Sequence, residues 1–144
     1  MQHRLLSRLA ALVLPAALAG CGAPDAYDTV SVSGTIRYAD DTAIPASRIT
    51  LFFVPQVTAV DAKTHPRNAT AEVNVKDGTF SNASTFSFGD GVIPGHQKVM
   101  VRAYDDNDGP SRAVPEKYGE EDTTPLEVEI AAKTKSLALT IDKP

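Results

Sequence analysis

The stretch Ile49-Thr-Leu-Phe-Phe-Val-Pro55 is the strongest single indication of the fold in this sequence. It is a short, continuous apolar run, rich in β-branched and aromatic side chains, and a proline ends it. A run of this length and composition predicts a central strand that is buried on both faces. A second stretch, Gln97-Lys-Val-Met-Val-Arg-Ala103, alternates with a period of two and predicts another strand. Both stretches favour a β fold.

The same alternation recurs on both sides of these stretches. Asp77-Gly78 predicts a hairpin, because both residues tolerate the positive φ that a tight turn demands. Gly34, in the middle of the first alternating segment, indicates a bulge or a close approach of another backbone. Since no segment after residue 20 shows sustained helical periodicity, the sequence predicts an all-β fold, a single antiparallel β-sandwich of about seven strands. The remaining predicted strands cover residues 30–38, 71–75, 79–81, 126–130 and 137–141.

The first twenty residues have the layout of an export signal. Residues 1–8 carry Arg4 and Arg8 and no acidic residue, and residues 9–19 form a short apolar stretch. That stretch is too short to cross a bilayer, because a membrane-spanning helix needs about 20 residues. The layout predicts a helical lipoprotein signal peptide over residues 1–20.

The apolar stretch ends in Leu18-Ala-Gly-Cys21, which resembles the lipobox of bacterial lipoproteins. Cys21 is the only cysteine of the chain and stands at the position that the lipobox requires. The resemblance implies a diacylglyceryl group on the Cys21 sulfur and usually a further acyl chain, such as palmitate, on its amine. Anchoring becomes stable once a second chain is added. The alternative is an ordinary secretory peptide followed by a chance cysteine.

The expected location is therefore extracytoplasmic, with the protein lipid-anchored to a bacterial membrane. The residue after the cysteine is Gly22 and not the aspartate that is associated with inner-membrane retention in some bacteria. This difference favours the outer membrane. Residues 21–29 are interpreted as the lipidated cysteine with a short polar tether, and residues 30–144 as one domain. At roughly 3.3–3.6 Å per extended residue, such a tether holds the domain within about 25 Å of the membrane.

The net charge of the chain after residue 20 narrows the classes of molecule that it could bind. Residues 1–20 hold two of the 14 basic residues and none of the 18 acidic ones, so the rest of the chain has a formal charge of −6. A net-negative domain without a basic stripe disfavours binding to nucleic acid and to anionic lipid headgroups. With Cys21 lipidated, no thiol remains for a disulfide, a metal site or a redox motif.

Five motifs follow one another along the chain: Val32-Ser-Gly-Thr-Ile36, Ile49-Thr-Leu-Phe-Phe-Val-Pro55, Asp77-Gly-Thr-Phe80, Pro94-Gly95 before Lys98-Val99, and Val114-Pro-Glu-Lys-Tyr118. Together they resemble those of a known family, the small bacterial lipoproteins with a carboxypeptidase regulatory-like domain. The resemblance covers about residues 30–141 and implies a transthyretin-like or immunoglobulin-like sandwich, an accessory module that carries no catalytic residues. The family usually has an aromatic residue shortly after its proline-glycine turn, where this chain has Gln97. A buried amide there would need hydrogen-bond partners, either from the backbone or from water at that end of the core.

The segment 105–122 holds the candidate ligand site. Asp105, Asp106 and Asp108 lie close together in sequence, and hard cations such as calcium bind clustered carboxylates. The segment fails the EF-hand pattern, because Gly109 at the sixth position would put a proline at the twelfth. The two interpretations are a calcium site of another kind and a solvated polar loop.

Two tyrosines flank the acidic residues. Tyr104 and Tyr118 present flat rings that could stack on a sugar. The alternative is that both rings pack against the domain, with Tyr118 anchoring the long loop.

The sequence shows no recognisable catalytic set. His65 and His96 are far apart, neither has metal-ligand spacing, and no serine lies in a Gly-x-Ser-x-Gly motif. The predicted function is a non-enzymatic, lipid-anchored module of the cell envelope with a structural or protein-binding role and no cofactor. Its expected partners are the membrane, through the lipid on Cys21, and an envelope protein or glycan. The alternatives are a carbohydrate- or calcium-binding module and, more remotely, a hydrolase in which His96 converges with carboxylates.

Overall fold

A computed structural model describes residues 25–144 of the chain. These residues form seven strands and one short 3-10 helix, Glu116–Tyr118, and they contain no α-helix. Within the same range, no helix has the length and the apolar character needed to cross a membrane. The signal peptide predicted over residues 1–20 and the lipidation predicted at Cys21 lie outside the described residues. The strands are β1 (Ser33–Tyr38), β2 (Arg48–Pro55), β3 (Ala69–Asn74), β4 (Thr79–Phe80), β5 (Gly95–Tyr104), β6 (Glu127–Ile130) and β7 (Ser136–Ile141).

The seven strands form one hydrogen-bonded sheet in the order β6-β5-β2-β3-β4-β1-β7, which curls into a half-barrel. The predicted all-β class is confirmed. The prediction of a purely antiparallel arrangement is wrong for one pair, because β1 and β7 run parallel, from Ser33 beside Ser136 to Tyr38 beside Ile141. Almost the whole domain separates these two strands in sequence, so no short turn forces them to run in opposite directions. Alternation with a period of two is the same for either direction and could not reveal this pairing.

The predicted central strand is the centre of the core. β2 lies between β3 and β5, and Leu51 and Phe53 are fully buried. Thr50 and Val54, which point to the other face, are also buried, so burial on both faces is confirmed. Opposite Leu51 on β5 stands Val101, which is equally inaccessible. Each such side chain contributes about 1.5–3 kcal/mol by leaving water.

Two glycines behave as the sequence predicts. Gly78 has a φ of 74° and ends the turn between β3 and β4, and its amide donates to the Asn74 carbonyl over 2.8 Å. Gly34 lies between β4 and β7, where a Cβ would stand 2.2 Å from the Leu137 carbonyl oxygen. The close backbone approach predicted at Gly34 is therefore confirmed.

Gln97 is the one fully buried polar side chain of β5, with an exposed fraction of 0%. Its Nε2 donates a hydrogen bond of 2.7 Å to the Ile93 carbonyl, whereas its Oε1 has no partner among the described residues. The backbone therefore provides a hydrogen-bond partner for the Nε2 of this amide but not for its Oε1.

The order of the strands separates two ends of the sheet. Because the pairings from β1 through β4, β3 and β2 to β5 are all antiparallel, the starts of β1 and β5 lie at the same end. Residues 25–32 lead into β1 at that end, and residues 105–109 follow β5 at the opposite end. The segment that leads towards Cys21 and the segment with the acidic residues are therefore far apart along the strand axis.

Candidate functional site

A cleft of about 530 Å³ opens between β5 and the segment that follows it, and we call it the β5 cleft. The segment folds back over the strand because the Tyr38 hydroxyl donates to the Ala113 carbonyl over 2.6 Å, and the Thr124 hydroxyl donates to the Val99 carbonyl over 2.7 Å. The volume lies in the range of small-ligand sites, about 300–1,000 Å³. The cleft is lined by Val101, Arg102, Ala103, Tyr104, Pro110, Ser111, Val114, Pro115, Glu116, Gly119 and Glu120.

Charged groups of both signs lie in the cleft. Arg102 Nη2 is 3.8 Å from Glu120 Oε1, and the two side chains are 44% and 74% exposed. The Arg102 guanidinium also lies 5.2 Å from the centre of the Phe52 ring. An exposed ion pair of this kind contributes at most about 1 kcal/mol, so either group can exchange its partner for a ligand at little cost. Sequence reasoning included Glu120 in the candidate segment 105–122, but it missed Arg102, which looks like an ordinary solvent-facing position of a strand.

The acidic residues do not form a ligand cage. Asp105 Oδ1 accepts hydrogen bonds of 3.0 Å from the amides of Asn107 and Gly109, which makes it the cap of its own turn. Asp106 accepts a hydrogen bond from the Ser47 hydroxyl. Asp108 pairs with Arg48, whose Nη2 is 3.2 Å from Oδ1.

Each carboxylate of this turn thus has a protein partner of its own. In residues 25–144, no group of three or more His, Cys, Asp or Glu side chains is arranged to hold a metal ion. The three aspartates also lie outside the lining of the β5 cleft. In the described structure Asp105 caps its own turn, and Asp106 and Asp108 join the turn to the start of β2.

The two tyrosines have different environments. Tyr104 is half-buried and lines the β5 cleft, with the Arg48 guanidinium 4.0 Å from its ring centre. Tyr118 is 3% exposed; its hydroxyl donates to Asp142 Oδ2 over 3.1 Å and accepts from the Asp142 amide over 3.0 Å. Tyr118 therefore fastens the loop to the residue after β7. Of the five candidate residues, only Tyr104 faces the cleft.

Asp142 completes that attachment. Lys117 Nζ lies 2.5 Å from Asp142 Oδ2, and the hydrogen bond from Lys117 together with that from Tyr118 holds the pKa of the Asp142 carboxyl below its usual value. A carboxyl with a lowered folded-state pKa stabilises the fold above its unfolded pKa of about 4, and this stabilisation is lost as the pH falls. Asp142 therefore contributes its full stabilisation of the cleft wall at neutral pH and loses it in acid.

His96 lies beside two carboxylates on the paired strands β5 and β6. Its Nε2 is 3.3 Å from Glu127 Oε2, and its Nδ1 is 3.8 Å from Glu129 Oε2. The three side chains are between 46% and 69% exposed, and none of them lines the β5 cleft. His96 thus lies beside carboxylates, as the hydrolase alternative requires, but these side chains lie on an open strand surface and not in the cleft.

Comparisons with protein families, with curated proteins and with solved structures found no match. The fold and the site by themselves define an all-β domain with a curled, mixed seven-stranded sheet and a ligand-sized cleft beside β5.

Proposed function

We propose that this protein is a lipid-anchored, non-enzymatic module of the bacterial cell envelope that binds a protein or another envelope component. The observation that carries the proposal is the lone cysteine at the end of Leu18-Ala-Gly-Cys21, only four residues before the first described residue, Asp25. Four extended residues span about 14 Å at most. A domain held so close to its anchor acts at the membrane surface.

The proposal includes the transthyretin-like sandwich of the carboxypeptidase regulatory-like domains. Its support is the position of the motifs, since Val32-Ser-Gly-Thr-Ile36 overlaps β1 and Asp77-Gly-Thr-Phe80 overlaps the hairpin into β4. Pro94-Gly95 begins β5, and Gly95 has the positive φ, 114°, that such a turn favours.

The position of the β5 cleft supports a binding role. The cleft lies at the end of β5 that is opposite to the end from which the chain leads towards Cys21. A lipid on Cys21 would therefore direct the cleft away from the membrane. Apolar side chains of its wall, such as Val114 and Pro115, and the exposed Arg102–Glu120 pair suit a protein segment that offers both apolar and charged groups.

Replacing Cys21 by serine tests the anchor. We expect the wild-type chain, grown with a palmitate analogue, to carry the label on the peptide that begins at Cys21. The Cys21→Ser chain is expected to lose the label completely, because no sulfur remains for the thioether. Mass spectrometry of the N-terminal peptide is the measurement, and Gly22→Ala is the matched control that keeps the cysteine. A fully labelled Cys21→Ser chain, or an unlabelled wild type, would refute the proposed anchor.

A glycan ligand is the second candidate, and the half-buried Tyr104 in the lining of the cleft favours it. If the cleft takes a glycan, peptidoglycan fragments should raise the thermal midpoint, and at 100 times Kd the gain is about 2.7 kcal/mol. Tyr104→Ala should remove this gain. Calcium is expected to leave the midpoint unchanged, since the aspartates of the turn already have partners. The absence of a rise with the fragments would reject the glycan and leave the protein-binding role.

A further inference from the structure

The two large apolar side chains that are exposed in residues 25–144 lie near the end from which the chain leads to Cys21. Phe88 is 89% exposed and Val60 is 61% exposed. Single exposed apolar residues are common and need no explanation. The observation here is that both occur on loops at the same end of the sheet, Val60 between β2 and β3 and Phe88 between β4 and β5.

Hydrogen bonds fix one of these loops to that segment. The Val60 amide donates to the Tyr27 hydroxyl over 3.1 Å, and this hydroxyl donates to the Thr64 carbonyl over 3.1 Å. Asp25 and Tyr27 also line a shallow cleft with Phe86, two residues before Phe88. The Val60 loop is therefore bonded to the beginning of the described chain, whereas Phe88 lies on the neighbouring loop, where it lines a second shallow cleft with Thr70 and Glu72.

The loop that carries Phe88 is firmly held. The Asp90 carboxylate accepts hydrogen bonds from the amides of Thr85, Phe86 and Ser87, at 2.7, 2.9 and 3.1 Å. Burial raises the pKa of the Asp90 carboxyl, but these bonds outweigh it and leave the pKa below its usual value. Since the carboxylate is charged at neutral pH, the loop keeps this conformation. The exposure of the Phe88 ring is therefore a feature of a loop whose conformation is fixed by hydrogen bonds.

Distance and charge identify what this surface faces. Cys21 lies at most about 14 Å from Asp25, and the headgroup region adds about 5–8 Å to each side of a bilayer's hydrocarbon core. The segment 25–28 and the two loops carry Asp25, Asp28, Asp61 and Asp90 against Lys63 and Arg67, a formal charge of −2, and Glu72 lines a shallow cleft with Phe88. Since this end is weakly acidic, anionic headgroups would not attract it, and its contact with a bilayer has to be apolar.

We propose that Val60, Phe88 and the segment 25–28 form an anchor-side surface that rests on the bilayer holding the lipid of Cys21. The Phe88 ring enters the boundary between headgroups and acyl chains, where aromatic side chains are favoured. Because the contact is apolar, it does not depend on anionic lipid. The inference rests on the proposed lipid anchor and adds to it a fixed orientation, with the β5 cleft facing away from the membrane.

Tryptophan fluorescence of the full lipidated chain tests this surface, because the protein contains no tryptophan. Phe88→Trp places the probe on the anchor-side surface, and Asn107→Trp places a matched, exposed probe at the opposite end. Each chain is incorporated into phosphatidylcholine vesicles with and without brominated acyl chains, which quench tryptophan on contact. We expect a blue shift and a loss of most of the emission for Phe88→Trp, and neither change for Asn107→Trp.

Other results would overturn the inference in distinguishable ways. A labelled, vesicle-bound chain in which neither probe is quenched keeps the anchor and rejects the surface. Quenching of Phe88→Trp only after phosphatidylglycerol is added would mean an electrostatic contact, against the apolar one proposed. A blue shift that depends on protein concentration without vesicles would assign the surface to a second copy of the chain. A chain without lipid on Cys21 would refute both proposals.

Discussion

Gly34→Ala is expected to destabilise the domain by about 3 kcal/mol, at the upper end of overpacking effects. The new Cβ would lie 2.2 Å from the Leu137 carbonyl oxygen and 2.8 Å from Cζ of Phe80. The first of these atoms belongs to the backbone of β7, so relief requires the parallel pair β1–β7 to separate. That pair is the sole attachment of β7 to the sheet among the described residues. Urea unfolding of the two chains, compared at equal slope, measures the difference.

Gly109→Ala is the matched control for this prediction. A Cβ there would meet only the carboxylate of Asp105, at 3.3 Å, and a flexible side chain can move aside. Its effect should stay within about 1 kcal/mol. Equal midpoints for the two alanine variants would show that β1 and β7 are not in the close contact described.

Gln97→Glu is expected to cost about 3 kcal/mol or more at pH 7. The introduced carboxylate would be buried where Oε1 already has no hydrogen-bond donor and where the Ile93 carbonyl lies close. Burial without a cation raises the pKa of a carboxyl, so the folded state binds a proton more tightly than the unfolded state does. The loss should therefore be small below the unfolded pKa of about 4.3, and it should grow as the pH rises, by up to about 1.4 kcal/mol per pH unit until the raised pKa is passed.

Gln97→Met separates this charge effect from packing. It keeps a similar volume and removes the unpaired Oε1, at the cost of the bond to Ile93. Its stability should lie within about 1.5 kcal/mol of the wild type and should show no added pH dependence. Unfolding curves for the three chains from pH 4 to pH 8 make the comparison. A difference between Gln97→Glu and the wild type that is flat over this range would contradict the buried position of the side chain.

The proposed function assigns different tasks to the two ends of the sheet. At one end, Val60 and Phe88 are exposed on loops beside the end from which the chain leads to Cys21, and at the other the β5 cleft opens beside Tyr104. The strands between them hold a core centred on Leu51 and Phe53. If the proposed anchor is present, the domain would hold the cleft at a set distance from the bilayer, and a partner approaching from the aqueous side would meet the cleft first.

The location of part of the candidate site was predictable from the sequence, but the partners of its side chains were not. The sequence predicts a candidate site in the segment 105–122 because carboxylates cluster there between two tyrosines, and this segment does form a wall of the cleft. The roles of its residues could not be read from sequence order. Asp106 bonds to Ser47 and Asp108 pairs with Arg48, each about 60 residues away in the chain. Tyr118 turns inward to Asp142, and Arg102 and Glu120 meet only after the loop folds back.

The sequence by itself determined the strands, because burial on a pleated surface imposes a local period of two on the residues that form it. It also determined the hairpin at Asp77-Gly78 and the close approach at Gly34, since glycine marks backbone conformations and spaces that other residues rarely fit. Only the tertiary structure decided the parallel pairing of β1 with β7, the order of the strands, and the position of the loops of Val60 and Phe88 at one end of the sheet. These depend on contacts between residues far apart in the chain, and a pattern along the chain carries no record of which strand a given face will meet.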